Sequence, residues 1–135
     1  MTPAELAAIH ERAAPLSGWS PESFAGLLRT HGTILQIGEQ GFALARQATD
    51  EAELLMIAVD PRMQRNGIGQ MLLDRLFLQL RENGSRTLFL EVATSNAAAR
   101  SLYAKVGFVQ TAIRKAYYRT PDGTREDALV LQKTL

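Results

Sequence analysis

Six consecutive residues, Gln64-Arg65-Asn66-Gly67-Ile68-Gly69, could bind an anion. They lie between a strand-like apolar run over residues 54–59 and a helix-like one over residues 71–80. A glycine-rich turn in that place lets consecutive backbone N–H groups converge. The helix that follows adds unpaired amides and the positive end of its dipole. Gly67 and Gly69 keep the backbone approachable and permit the angles such a turn needs. The chemistry implied is a phosphate-bearing ligand, set against the plainer alternative of an ordinary glycine-containing turn. Two familiar phosphate loops do not fit. A nucleotide P-loop ends in Gly-Lys-Ser/Thr, whereas Gly69 is followed by Gln70 and Met71. The dinucleotide fingerprint wants a third glycine where Leu72 stands.

Two side chains further along could move protons. Glu91 stands near the end of a second strand-like run, from which its carboxylate could reach a reacting centre directly or through water. Its alternative is an ion pair with an arginine such as Arg86 or Arg100. Tyr103 follows Asn96 on a helix-like segment. A phenol with a reference pKa of about 10 is protonated at neutral pH and can donate. Its alternative is core packing beside Leu102 and Val106. The chain has no cysteine, which excludes disulfides, thiolate metal sites and an acyl-cysteine intermediate. His10 and His31 have no metal-ligand spacing and read as structural, so no metal is expected.

The elements that must position these groups follow from periodicity and turn chemistry. Thr2-Pro3-Ala4-Glu5 reads as a capping box with proline at the first helical position. Leu6, Ile9 and Ala13 form the stripe of that helix, which stops before Pro15. Ser20-Pro21 opens a second helix with Phe24, Leu27 and Leu28 as its apolar face, ended by Gly32. Residues 33–37 and 42–46 are short strands joined by Gly38-Glu39-Gln40-Gly41. Residues 53–59 are apolar almost throughout, as in a strand covered on both faces. Ile68, Leu72, Leu73, Leu76, Phe77 and Leu80 share one face of the helix after the loop, which Asn83-Gly84 terminates. Residues 87–92 are another buried strand. Ser95 can cap a helix that runs through Leu102 and Val106 to Gly107. Residues 108–118, Pro121-Asp122-Gly123 and residues 127–132 read as a long hairpin. The order ααβββαβαββ specifies an α/β layered domain, a mixed sheet with helices on both faces.

A chain of 135 residues can bury a core as one domain, residues 1–135. No apolar stretch is long enough to span a bilayer, and Met1 runs straight into a charged amphipathic helix rather than a signal peptide. A net charge of +1 argues against a strongly electrostatic nucleic-acid binder. The expectation is a soluble cytoplasmic protein with no nucleic-acid or membrane partner.

The loop, with a strand ending in Val59-Asp60-Pro61, resembles the pyrophosphate loop of the GCN5-related N-acetyltransferase (GNAT) superfamily, which holds acetyl-coenzyme A. Asn96-Ala97-Ala98-Ala99, Leu102-Tyr103 and Gly107-Phe108 resemble that superfamily's second conserved block. Leu90-Glu91-Val92 followed by Ser95-Asn96, and Tyr117-Tyr118 with Asp122-Gly123 and Glu126-Asp127-Ala128, are similar more narrowly to the bacterial ribosomal-protein alanine N-acetyltransferases and their eukaryotic N-terminal acetyltransferase relatives. The similarity runs from Trp19-Ser20 to the last strand. There are two departures. The family opens with a short strand before its first helix, and here Met1 lies almost on the helix, so that edge strand is expected to be short or missing. Arg119 follows Tyr117-Tyr118, where a proline is common.

The resemblance implies a single-domain GNAT fold with a mostly antiparallel sheet. It also implies direct acetyl transfer from acetyl-coenzyme A, in a ternary complex without metal, to the N-terminal alanine of a ribosomal protein. It gives the role of base to Glu91 and of acid to Tyr103. Arg65, Asn66, Gly67, Ile68, Gly69 and Gln70 would hold the pyrophosphate. The backbone amides of Ile57, Ala58 and Val59 would hold the pantetheine and the thioester oxygen, and preorganised donors of this kind contribute about 2.7–4 kcal/mol to catalysis. Asn96 would hydrogen-bond the pantetheine or simply occupy the first helical turn. Tyr117 and Tyr118 alternate faces on a strand, so one would line a peptide groove while the other packs. Trp19 would wall the acceptor pocket, or form a hydrophobic staple with Phe24. Arg114, Lys115, Arg119 and Arg125 would steer an acidic partner or form a solvated face. Two other functions remain open at this point: acetylation of a lysine side chain or small-molecule amine, and a coenzyme A-binding subunit without catalysis.

Overall fold

Helix α1 (Pro3–Ala13) begins at the expected capping box. Thr2 Oγ1 accepts from the Glu5 amide at 3.1 Å, and Glu5 Oε1 accepts from the Thr2 amide at 3.3 Å. In α2 (Pro21–Arg29) Ser20 Oγ caps the Ser23 amide at 3.1 Å. The computed structural model describes residues 1–13, 19–120 and 122–135. Pro15 and Pro121, expected to stop the first helix and to shape the last turn, lie outside the described residues.

The remaining elements are β1 (Thr33–Gly38), β2 (Gly41–Ala48), β3 (Glu51–Val59), a short 3-10 turn (Pro61–Met63), α3 (Ile68–Glu82), β4 (Thr87–Ala93), α4 (Ala97–Lys105), β5 (Val109–Arg119) and β6 (Arg125–Thr134). They form a six-stranded sheet in the order β1-β2-β3-β4-β6-β5. Every pairing is antiparallel except β3 with β4. Among the described residues no strand precedes α1, and β1 forms that edge of the sheet. No helix of the described residues is long and apolar enough to cross a membrane.

Each face of the sheet carries its own apolar layer. Leu72, Leu73, Leu76 and Leu80 of α3 are fully buried against Ala43, Ala45, Leu54, Leu88 and Leu90. On the other face Leu6, Ile9 and Phe24 of α1 and α2 meet Phe42, Leu44 and Ala58. One expected cap is corrected. Asn96, not Ser95, caps α4, its Oδ1 accepting from the Ala99 amide at 3.2 Å. Ser95 Oγ instead lies 2.9 Å from Glu126 Oε1.

One local irregularity creates the site. Leu44 pairs with Met56 and Ala45 with Leu54, so Leu55 is an extra residue in β3. Such a bulge bends its strand and increases its twist. The parallel ladder to β4 accordingly covers only Glu51–Glu53 opposite Thr87–Phe89. Beyond it β3 and β4 part, and a window opens through the sheet.

Candidate active site

The loop after β3 is shaped by two left-handed residues, Arg65 at φ +69° and Gly67 at φ +75°. A Cβ on Gly67 would meet nothing within 4 Å, so what favours glycine there is the backbone angle and not space. At Gly69 the reason is space, because a Cβ would come within 3.3 Å of Leu102 Cδ2 on α4. The loop is anchored beneath by Asp60, a fully buried carboxylate. It accepts from the Arg62 amide at 3.0 Å, from Arg62 Nη2 at 2.9 Å and from Arg12 Nε at 2.7 Å. The Arg62 bonds, and then that of Arg12 on α1, hold Asp60 well below the usual carboxylate range.

Above the loop lies a cleft of about 610 Å³. Ten of the residues expected to bind the cofactor or act on it line this cleft: Ile57, Ala58, Val59, Arg65, Gly67, Ile68, Gly69, Gln70, Asn96 and Tyr103. Asn66 is exposed beside it and does not. The Asp60 amide donates to the Gln40 carbonyl at 2.8 Å, so strand alternation turns the Ala58 amide toward β2 as well. Ile57 and Val59 turn theirs to the opposite edge, which β4 has left. Gln64 Nε2 reaches the Val59 carbonyl on that edge at 3.1 Å. Lys105, in the last turn of α4, also lines the cleft. It is a cation the sequence reading missed, and its only signal there is its place one turn after Leu102. Free amides, a left-handed glycine turn, Arg65 and Lys105 together suit a long anionic ligand with an amide-bearing arm.

Tyr103 is buried at the cleft wall, edge-on to Phe108 with ring centroids 5.6 Å apart. Burial, and then the nearby Tyr118, push its phenol up to about 12. Glu91 lies between buried Leu90 and Val92 on β4, so it points to the opposite face of the sheet. Its Oε1 is 2.9 Å from Arg114 Nε, not paired with Arg86 or Arg100. Arg100 instead donates to the Thr94 carbonyl at 2.9 Å. Tyr118 is half-buried, its phenol raised by burial, then by Glu91 and Tyr117. It is thus within electrostatic range of both Glu91 and Tyr103. Glu53, on the Glu91 face, escaped the sequence reading. Burial and then Glu91 raise its carboxyl.

The two tyrosines are arranged differently from the expectation, whereas Trp19 takes the expected staple position on Phe24. A regular strand would send Tyr117 and Tyr118 to opposite faces. Arg114 pairs with Ala128 and Tyr118 with Glu126, so β5 carries two extra residues in that span. The bulge brings the two rings to 5.1 Å and sets the Arg114 guanidinium 5.1 Å from the Tyr117 centroid. Trp19 packs on Phe24 at 5.5 Å and His10 at 6.3 Å, in the position of a staple across the Ser20 cap, and does not line the cleft.

Residues 9–108 match the Acetyltransferase (GNAT) family. The chain belongs to the GNAT family. This acetyltransferase is 43% identical over 130 residues to the [Ribosomal protein bS18]-alanine N-acetyltransferase of Escherichia coli K12, covering 93% of this chain and 87% of that protein. The crystal structure of the ribosomal-protein-S18-alanine N-acetyltransferase from Escherichia coli superimposes with a TM-score of 0.85 at 41% identity, over 98% of this chain and 86% of that one. A GNAT family acetyltransferase from Elizabethkingia anophelis with acetyl-CoA bound shares the fold, with a TM-score of 0.75 at 22% identity over 96% of this chain and 90% of that one. The chain is therefore an N-acetyltransferase of the GNAT type, whose family uses acetyl-coenzyme A.

Proposed function

We propose that this enzyme acetylates the α-amine of a protein that begins with alanine, a ribosomal protein of the bS18 kind. The observation that carries this reading is the window between β3 and β4, with Tyr103 on the cleft side, Glu91 on the other and Tyr118 near both. The acetyl donor would enter from the loop side and the amine from the Glu91 side, the two meeting in the gap. The bS18-directed relative from Escherichia coli supports the choice of acceptor.

Each residue has a definable task. The Ile57 and Val59 amides, released by β4, would hold the donor's amide-bearing arm and polarise the thioester carbonyl. An α-amine titrates at about 7.7–8.0, so Glu91 needs only to take one proton from a group that is partly neutral already. Arg114 Nε stands 2.9 Å from its Oε1. As the C–N bond forms and the C–S bond breaks, an electron pair moves onto sulfur. The Tyr103 hydroxyl donates a hydrogen bond to it. A phenol at about 12 stays protonated, and against a thiol of about 8.5 it retains its proton rather than surrendering it outright. Tyr103 thereby stabilises the departing thiolate, which takes its proton from solvent.

The test is a panel of three acceptors with acetyl-coenzyme A, with the modified atom located by mass spectrometry. The acceptors are a peptide beginning with alanine, the same peptide blocked at its N-terminus but carrying lysine, and a small primary amine. Acetyl on the alanine nitrogen is expected. Acetyl found only on lysine Nζ or on the small amine overturns the choice of acceptor, and no turnover with any of them overturns catalysis by this chain.

A further inference from the structure

Glu126 and Asp127, at the start of β6, take no part in the transfer chemistry, yet they join three pieces of the site. The Asp127 carbonyl accepts from the Thr94 amide at 3.1 Å, and Glu126 Oε1 accepts from Ser95 Oγ at 2.9 Å. Both contacts fix the turn that carries Asn96 to the cleft. On its other side Asp127 Oδ1 accepts from the Ala116 amide at 2.9 Å, while Lys115 Nζ stands 3.4 Å from Oδ2. Ala116 has φ +51°, a left-handed angle that is uncommon for a residue with a Cβ. Ala116 lies inside the two-residue excess of β5, so the strained residue belongs to the bulge itself.

We infer that Asp127 is a positioning residue for the acceptor: its carboxylate holds the left-handed bulge at Ala116 and thereby keeps Tyr117 against Arg114 and Tyr118 beside Glu91. This rests on the reading of the Glu91 face as the acceptor side. A strained backbone persists only where its surroundings over-determine it, and here the Asp127–Ala116 bond supplies that constraint. Bulges re-aim side chains beside active sites. In a regular β5, Tyr117 would leave Arg114 for the far face. Arg114 would lose the ring that stacks on it while it holds Glu91 Oε1. The Ala116 bond also holds the Asp127 carboxyl below its ordinary range, as a bond to the charged form must.

The experiment compares Asp127→Ala, Asp127→Asn and the double variant Ala116→Gly/Asp127→Ala, using acetyl-coenzyme A and the alanine-initiated peptide, with the lysine-bearing blocked peptide in parallel. Asp127→Ala is expected to raise the peptide KM about tenfold or more while the acetyl-coenzyme A KM stays within about twofold. Asp127→Asn, whose amide oxygen still accepts from the Ala116 N–H, should remain within about threefold of the parent. Glycine adopts the left-handed angle without strain, so the double variant should recover part of the loss. A purely structural role would instead lower the melting temperature and move both KM values together. The inference is overturned by an unchanged peptide KM in Asp127→Ala, by Asp127→Asn behaving like Asp127→Ala, or by an equal loss with and without Ala116→Gly. If only the lysine peptide reacts with the parent, the acceptor reading fails, and the same KM comparison on that peptide still decides the role of Asp127.

Discussion

The two sides of the β3–β4 window are built on different plans. On the cleft side most ligand-facing groups come from one continuous stretch, from the Ile57 and Val59 amides through the Gly67 turn to Gln70. On the other side Glu53, Glu91, Arg114, Tyr117 and Tyr118 come from three strands, and their meeting depends on register and on a bulge. On the proposed reading, donor binding would be a local property of the backbone and acceptor binding a tertiary property of side chains. The two sides should fail in different ways when altered.

Tyr103→Phe offers the largest break. It removes one oxygen from the cleft wall and keeps the packing on Phe108. Turnover should fall about 10²–10³-fold, the cost of losing one preorganised donor to developing charge. Melting temperature and acetyl-coenzyme A binding, followed by calorimetry, should barely move. A loss of less than about threefold would remove Tyr103 from the chemistry.

Glu91→Gln comes next and tests the acceptor side. At neutral pH turnover should drop about 10²-fold, the low end for a positioned base, because the amine is already partly neutral. The deficit should shrink as pH rises through about 7.7–8.0, where the free amine becomes the main species. A rate profile parallel to the parent across that range would place the proton acceptor elsewhere. Donor affinity should be unchanged, as expected if the two sides are separable.

Gly67→Asp acts only on the cleft side and should be smaller. It places a Cβ at φ +75° and a negative charge where an anion is to bind. Acetyl-coenzyme A affinity should weaken about tenfold, read as a reduced thermal shift on adding ligand. The peptide KM should stay near the parent value. Gly69→Asp should weaken affinity too, but with a fall in stability in the free enzyme, because its Cβ would crowd Leu102 at 3.3 Å. If the two variants behave alike, angle and space are not the distinct constraints the geometry indicates.

The contrast between the sides also explains what could be read in the sequence. Gly67, Gly69 and the leucines of α3 were legible because a turn and a 3.6-residue period are local signals. The capping box at Thr2 and Glu5 was legible for the same reason. The partner of Glu91 was not. Pairing it with Arg114 requires knowing that β6 lies between β4 and β5, and in which register. The bulge at Ala116 was equally hidden, since alanine gives no hint of a positive φ. Alternation therefore separated two tyrosines that the fold brings together. Leu55 was hidden too, because one more apolar residue in an apolar strand leaves no mark, although that extra residue is what opens the window.

Asp60 offers the smallest and subtlest test, because it is buried beneath the loop and does not line the cleft. Its carboxylate gathers Arg62 from the loop and Arg12 from α1, and so ties the Gly67 turn to the helix layer on the opposite face. Those arginines depress its pKa in the folded state relative to an unfolded value of about 3.9. The sign follows from linkage. The unfolded chain takes up a proton that the folded one refuses, so the contribution is fully present above about 3.9 and is lost as pH falls below it. Asp60→Asn should therefore melt a few degrees below the parent at neutral pH, and the gap should narrow as the pH is lowered toward acid. Calorimetry at stepped pH would show the convergence. A gap that stays constant down to strong acid would mean that Asp60 acts by shape and hydrogen bonding alone, and that the charge shared with Arg12 and Arg62 is not what holds the loop.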